Sequence, residues 1–244
     1  MMDESRYFYA PNAMETNELP DDEAMHALRV LRLKSGDTMT LTDGKGNCYK
    51  AEVTLAATRK CQYRIVEKMP QAPQWRGRLR LAVAPTKTME RIEWMVEKST
   101  EVGIDDFLFM TCKNSERRVA RTGRLEKITI SAVKQSLKAR KPELHSLQNF
   151  KAIISSDFSG HKFIAHCHDD GKRKNLFEEM SKPTADGSDD IIVLIGPEGD
   201  FTEEEVSEAV AAGYVPVTLG KSRLRTETAG LVAAIMMHMS RELE

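Results

Sequence analysis

The spacing of apolar residues changes near residue 75. Before it, apolar and polar positions alternate with period two over short stretches. Thr38 to Thr42 and Tyr49 to Leu55 alternate on either side of Asp43-Gly44-Lys45-Gly46, which predicts a β-hairpin. Arg6 to Tyr9 and Cys61 to Val66 read as further strands. Asp22 to Leu33 reads as a short helix with Met25, Leu28 and either Leu31 or Val30 on one side. Several strands in so little chain predict a small β-barrel over 1–70. Pro70 and Pro73 among polar residues then interrupt all periodicity and predict a linker over 71–76.

From 77 to 244 strands alternate with helices. Leu79 to Ala84, Phe107 to Met110, Phe163 to Ala165, Ile191 to Ile195 and Val215 to Leu219 are the strands, with Pro216 suited to an edge or a strand start. Glu90 to Val102 predicts a helix with Ile92, Met95, Val96 and Val102 inward and Gly103 as its stop. Arg121 to Ala139 predicts a long helix with Leu125, Ile128, Ala132 and Val133 on one face. Thr202 and Glu205 form a capping box for a helix ending at Gly213, and a last helix spans Glu227 to Arg241. Such alternation predicts an α/β domain, a mostly parallel sheet with helices on both faces. On the last helix Leu231, Val232, Ile235, Met236 and Met239 form an apolar stripe, suited either to the core or to an interface.

In such a sheet ligands bind at the loops that leave the carboxyl ends of the strands. Two of these loops have distinctive chemistry. Leu194 and Ile195 lead into Gly196-Pro197-Glu198-Gly199-Asp200-Phe201, where glycines permit close backbone approach and Glu198 adds a carboxylate. Leu219-Gly220 leads into Lys221-Ser222-Arg223-Leu224-Arg225-Thr226-Glu227-Thr228. A Walker loop would need glycine where Val215 stands, and no dinucleotide-binding glycine pattern occurs. The loops therefore suit a flat, mostly neutral heterocycle held by backbone groups; the plainer reading of the first is a strand-to-helix turn.

Composition narrows the class. A hydrophobic fraction of 41% and a charged fraction of 30% over 244 residues are those of a soluble globular chain. No apolar run reaches the ~20 residues that span a bilayer. Met1 to Arg6 lacks the basic start and apolar middle of a signal peptide, so a cytoplasmic location is expected, with no membrane partner. The four cysteines have neither disulfide-framework nor zinc spacing, so no metal is expected. Net charge is −1, yet basic residues cluster at Arg76, Arg78 and Arg80, at Arg117, Arg118, Arg121 and Arg124, and at Lys134, Lys138, Arg140 and Lys141. Such patches fit either a binder of one folded RNA or solvated helix faces.

Ile195-Gly196-Pro197-Glu198-Gly199, Leu219-Gly220 and Leu224-Arg225-Thr226-Glu227-Thr228-Ala229 together resemble the paired signature motifs of the RsmE family, small-subunit ribosomal RNA (uridine-N3) methyltransferases of the SPOUT superfamily. The resemblance extends to His26-Ala27-Leu28-Arg29-Val30-Leu31-Arg32, Glu97 to Gly103, Ser115-Glu116-Arg117 and Lys134-Gln135-Ser136. It implies a PUA-like RNA-binding barrel followed by a methyltransferase domain with a deep trefoil knot. It implies S-adenosylmethionine as cofactor, small-subunit ribosomal RNA or the assembled 30S subunit as partner, and a homodimer.

Carried onto this chain, the cofactor residues are Leu194, Ile195, Gly196, Pro197, Glu198, Gly199, Leu219, Gly220, Leu224, Arg225, Thr226 and Glu227. Arg117 and Arg225 are candidates for stabilising charge on the uracil, and Glu198 is a base or a cofactor-orienting carboxylate. A structural ion pair of Arg225 with Glu227 or Glu198 is the alternative for that residue. Arg29, Arg32, Arg117, Arg118, Lys138 and Arg140 are candidates for RNA contact. The family has a second glycine where Asp200 stands, and Lys138 or Arg140 replaces its usual arginine. Competing readings are a transfer-RNA methyltransferase of the same superfamily, an RNA-binding module without catalysis, and a metal hydrolase built on His166, His168, Asp169 and Asp170 with His145 and His161.

Overall fold

The computed structural model describes residues 6–120, 122–168, 171, 173–184 and 186–242. Arg121, Asp169 and Asp170, and Met1 to Ser5, lie outside the described residues. The chain forms two compact units, Met1–Pro73 with Ile130–Lys141, and Gln74–Thr129 with Pro142–Glu244.

The first unit contains β1 (Tyr7–Tyr9), β2 (Thr38–Thr42), β3 (Asn47–Ala56) and β4 (Cys61–Pro70) side by side in that order, with β1 parallel to β2 and the rest antiparallel. Period two holds: Met39, Leu41, Tyr49, Ala51, Val53, Cys61 and Tyr63 face one buried cluster around Phe8. The hairpin turn closes on Asp43, whose Oδ1 accepts the N–H groups of Lys45 (2.7 Å) and Asn47 (3.1 Å). Leaving β1 at one edge, the chain reaches the opposite edge. There Asn17 O accepts from Tyr63 N and Leu19 N donates to Cys61 O, which gives the sheet its barrel-like closure.

The helix expected over Asp22–Leu33 is shorter and wound differently. α1 (Asp21–Met25) passes into a π-helical turn at His26–Val30, and Arg32 ends it with φ 55°. The wider turn takes the following side chains off the 3.6-residue face. Ala24, Ala27 and Leu33 are the fully buried residues, the expected Leu28 and Leu31 pack against the same core half-buried, and Val30 is 67% exposed. The segment 130–141 belongs to this unit through specific bonds. Gly46 N donates to Ala139 O, Lys141 N to Gly44 O, Tyr7 OH to Lys138 O, and Lys134 Nζ lies 2.8 Å from Glu23 Oε1.

The second unit carries β5 (Leu79–Val83), α2 (Met89–Val102), β6 (Asp106–Thr111), the start of α3 (Thr122–Gln135), β7 (Glu143–Leu144), β8 (Gln148–Asn149) and α4 (Phe150–Ile154). It continues with β9 (His161–Ala165), β10 (Lys174–Asn175), α5 (Leu176–Met180), β11 (Ile191–Ile195), α6 (Glu203–Ala211), β12 (Val215–Thr218) and α7 (Thr226–Arg241). α3 stops four residues before the expected Ala139, because Leu137 adopts a left-handed φ of 54° and Lys138 N turns back to Val133 O. No glycine marks that stop. β7, β8, β10, α4 and α5 are too short to show a period and were not expected.

All pairings in the large sheet are parallel, in the order β10-β12-β9-β11-β5-β6-β7, with β8 also against β6. β11 is buried on both faces: Ile191, Val193 and Ile195 face the layer with α2 and α7, and Ile192 and Leu194 the layer with α4 and α6. β10 pairs only with Val217 and Thr218, so Pro216 sits where that side of β12 is unpaired. After β12, α7 returns to the middle of the sheet and packs on α2, β5 and β11.

α7 buries a different face from the apolar stripe. Gly230, Ala233, Ala234 and Met237 point inward, and a Cβ on Gly230 would collide with Met95 Sδ. Small residues let α7 approach α2 and the sheet closely; Leu231, Val232 and Met236 are half-buried, and Ile235 and Met239 are exposed. Among the described residues no helix is long and apolar enough to cross a membrane.

Candidate functional site

The carboxyl ends of β5, β6, β9, β11 and β12 bring five loops together. The loop after β11 is held from three sides. Glu198 Oε1 accepts the Lys87 N–H at 2.9 Å, which ties it to the loop after β5. Asn114 Nδ2 donates to Gly199 O and Asp200 O, both at 3.1 Å, which ties it to the loop after β6. Asp200 Oδ2 accepts the Cys167 N–H at 2.7 Å, which ties it to the loop after β9. Gly196 sits in a tight space, since a Cβ there would lie 3.0 Å from the Phe201 ring and press on it. The expected capping box closes the start of α6, with Thr202 Oγ1 accepting from Glu205 N and Glu205 Oε2 from Thr202 N.

The loop after β12 turns at Gly220, whose φ of 130° favours glycine, and runs to Arg225, the N-cap of α7. Thr226 Oγ1 then donates to Gly196 O, so the two motif loops are bonded to each other.

Two cavities open among these loops. One of about 920 Å³ is walled by the loops after β9 and β12, including Val217, Leu219, Gly220 and Leu224. The other, about 470 Å³, is walled by Ile195 to Glu198, Arg223 to Thr226 and Arg91. They share Ala165, Cys167, Asp200, Arg223, Leu224 and Ala229.

Most residues expected at a cofactor site border these cavities: Ile195, Gly196, Pro197, Glu198, Leu219, Gly220, Leu224, Arg225 and Thr226. Three do not. Leu194 is buried in β11, Gly199 packs against Asn114, and Glu227 is buried at the start of α7 with Oε1 3.7 Å from Arg91 Nε. Neither Glu198 nor Glu227 is paired with Arg225, which is exposed at the cavity rim. Arg117 borders neither cavity. Its Nε donates to Thr86 O (3.0 Å) and its Nη2 to Lys87 O (2.6 Å), so it holds the turn after β5 from the side opposite Glu198.

Sequence reasoning missed Arg91, Ala165 and Cys167, and it placed Asp200, Arg223 and Ala229 in the motif segments without counting them among the cofactor residues. The available signal was that His166-Cys167-His168 also follows a parallel strand. Among the described residues those histidines do not converge on a metal-type arrangement: His168 Nε2 bonds Phe201 O at 2.7 Å, and the His166 ring lies tilted with its centroid 5.3 Å from that of His168. Among the described residues the one such group is Asp106, Glu143 and His145. There Arg78 Nη2 already bonds Asp106 Oδ1 at 2.8 Å and His145 Nε2 lies 2.7 Å from the same oxygen. Burial works to raise the Asp106 pKa, but the bonds from Arg78 and His145 outweigh it and hold the carboxyl below its ordinary value.

Of the candidate RNA contacts, Arg29, Arg32 and Arg140 are exposed and Lys138 is half-buried, and all four belong to the first unit. Arg118 is exposed in the second unit, beside Arg117.

Comparison with known proteins places this geometry. The model of the RNA methyltransferase domain family matches residues 73–238, and that of the RNA methyltransferase PUA domain matches residues 19–66. A crystal structure of a probable rRNA-methyltransferase from Porphyromonas gingivalis is 42% identical, with 97% of this chain and 98% of that one covered and a TM-score of 0.88. The ribosomal RNA small subunit methyltransferase E from Neisseria gonorrhoeae, solved bound to S-adenosyl methionine, is 28% identical, with 98% of each chain covered and a TM-score of 0.83. The protein of the same name from Rickettsia conorii is 26% identical over 228 residues, covering 91% of this chain and 89% of its own.

Proposed function

From its place in the RNA methyltransferase family, in the branch of the ribosomal RNA small subunit methyltransferase E proteins to which the chain belongs, we propose that it transfers a methyl group from S-adenosylmethionine to N3 of a uridine in small-subunit ribosomal RNA. The fold is that of the family, an α/β SPOUT-type trefoil-knot methyltransferase domain with a PUA-like N-terminal domain. The observation that carries the reading is the pair of cavities meeting at a common wall, which suits a bent ligand with two arms.

The residues present fit S-adenosylmethionine. Ala165, Val217, Leu219, Gly220, Leu224 and Ala229 offer apolar surface and close backbone of the kind that holds adenine and ribose. The other cavity carries both signs of charge, in Glu198, Asp200, Arg91 and Arg223, to meet a zwitterionic amino acid. When bound, the cofactor supplies an electrophilic methyl carbon for in-line displacement.

The chain's own work is positioning and charge stabilisation. As the uracil N3 proton leaves, negative charge spreads over the two flanking carbonyl oxygens. Arg225, exposed at the rim and joined to neither Glu198 nor Glu227, is the residue we assign to meet that charge. Arg117 and Glu198 act together on the turn at Thr86 and Lys87, and Glu198 with one oxygen so committed is the orienting carboxylate. Leu194, Gly199 and Glu227 support the loops from behind.

The basic residues of the first unit, Arg29, Arg32, Lys138 and Arg140, hold RNA backbone, as do Arg117 and Arg118 of the second. The target uridine is one that is unstacked or flipped out of its helix. The exposed Ile235 and Met239 of α7 and Trp94 of α2 form the contact of a homodimer. With ribosomal RNA as its substrate, the protein acts in the cytoplasm.

The test is incubation of the purified protein with S-adenosylmethionine and, separately, naked small-subunit RNA, 30S subunits and transfer RNA, with the methylated nucleotide mapped. N3-methyluridine in small-subunit RNA is the expected product. A methyl group on transfer RNA alone, or none on any RNA, would overturn the reading.

A further inference from the structure

We propose that Asp200 is a positioning residue that fixes the wall common to the two cavities and thereby sets how tightly the cofactor is held. Its backbone has φ 62°, a left-handed conformation that glycine takes freely and that aspartate tolerates better than most residues. What aspartate adds over glycine is a carboxylate, and both oxygens are used. Oδ2 accepts the Cys167 N–H at 2.7 Å and Oδ1 the Phe201 N–H at 2.8 Å. The first of these charge-assisted bonds ties the loop after β9 to the loop after β11, and the second, within the β11 loop, holds the carboxylate in place to make it. His168 Nε2 to Phe201 O, at 2.7 Å, is a second tie between the same loops.

Cys167 and Asp200 both border each cavity, so their bond lies where a ligand with an arm in each must bend. Without it the β9 loop loses one of its ties to the β11 loop and keeps that of His168, and the cofactor would have to order more of that wall itself on binding. The inference rests on the S-adenosylmethionine reading, and its test separates the two.

Cys167 supplies the probe. It is exposed, whereas Cys48, Cys61 and Cys112 are buried, so iodoacetamide modifies it first and peptide mass spectrometry reads the rate. In the unsubstituted protein S-adenosylmethionine slows this modification; no protection at millimolar cofactor overturns the cofactor reading and the inference with it. In D200G, which keeps the backbone conformation and loses both bonds, Cys167 is modified faster without cofactor. Half-protection then needs about tenfold more S-adenosylmethionine, the equivalent of about one net charge-assisted bond. D200N tolerates the same φ and retains one carbonyl acceptor, so it falls between the two, and it decides the matter should D200G not fold.

In turnover D200G raises KM for the cofactor about tenfold and leaves KM for RNA within about twofold, a split that general loss of structure would not give. Protection of D200G at the same cofactor concentration as the unsubstituted protein would overturn the inference alone.

Discussion

Thr226 Oγ1 donates a 3.2 Å hydrogen bond to the carbonyl oxygen of Gly196, joining the first turn of α7 to the loop after β11 across 30 residues of sequence. The two loops that wall the smaller cavity are thus one bonded object, and α7, packed on α2 and the sheet, holds it still. T226V keeps the shape and removes the donor, leaving a buried carbonyl without it. Stability should fall by about 1–2 kcal/mol in urea unfolding, with T226S close to the original. Equal stability of T226V and the unsubstituted protein would remove this bond from the account.

Arg225 and Arg117 should fail differently. R225A takes a cation from the cavity rim and leaves the loops bonded. It should lower kcat by about 100-fold, on the scale of a lost charge-stabilising donor, with cofactor affinity nearly unchanged by calorimetry. R117A unfastens the turn at Thr86 and Lys87, and should damage turnover or RNA affinity far more than cofactor binding. Unchanged methylation by R117A would sink its assignment.

At Gly230 two effects oppose each other. Alanine is favoured over glycine in a helix by about 1 kcal/mol, but its Cβ would strike Sδ of the fully buried Met95. Overpacking should win, so that G230A is destabilised by about 1–3 kcal/mol. The double variant G230A/M95A should lose less than the sum of the two single changes, because the new methyl enters space that the shorter side chain vacates. Additive losses would show that the two residues do not compete for that space.

Asp106 gives a pH signature. Burial alone would raise its pKa, yet Arg78 and His145 depress it below its unfolded value. A depressed carboxyl contributes stability that is full above the unfolded pKa, about 3.9, and is lost as pH falls through the folded one. D106N should therefore cost about 1–2 kcal/mol at pH 7 by weakening the pair with Arg78, which is part-exposed and keeps Glu143 as a partner. Its deficit should shrink once pH falls below about 4. Urea unfolding at pH 7, 5 and 3 measures the gap, and a constant gap would contradict the ion-pair account.

The outer side of α7 should carry self-association. I235E/M239E changes two exposed side chains and leaves the buried face of Gly230, Ala233, Ala234 and Met237 alone. Sedimentation should show a dimer for the original protein and a monomer for the variant, with unfolding midpoints of similar value. A dimer that survives both charges lies elsewhere on the surface.

How much of this was legible varied with the range of the forces involved. The strands β2, β3, β5 and β11, the helix α2 and the cap at Thr202 depend on neighbours within a few residues, and their periodicity and turn chemistry are written locally. Elements of two to five residues, such as β7, β10 and α4, have no period to read and form because the rest of the sheet offers them a place. The stop of α3 rests on a left-handed Leu137, a residue that carries no stop signal.

The site divides in the same way. Glycine, proline and the capping pair announce both motif loops, since each makes a local conformational demand that its own residue type reveals. The bonds that turn the loops into cavities are different: Glu198 to Lys87, Asp200 to Cys167 and Arg117 to Thr86 span 31 to 111 residues of sequence. No local pattern encodes them.

Sequence by itself determined the alternation of strand and helix, the two motif loops and the family they resemble, because these follow from local propensity and residue type. Tertiary structure alone decided that 130–141 joins the N-terminal unit and that α7 turns its small residues inward. It alone also decided that Asp200 bonds across to Cys167. Each of these depends on which distant atoms fill the space beside a residue, and that is set only when the whole chain has packed.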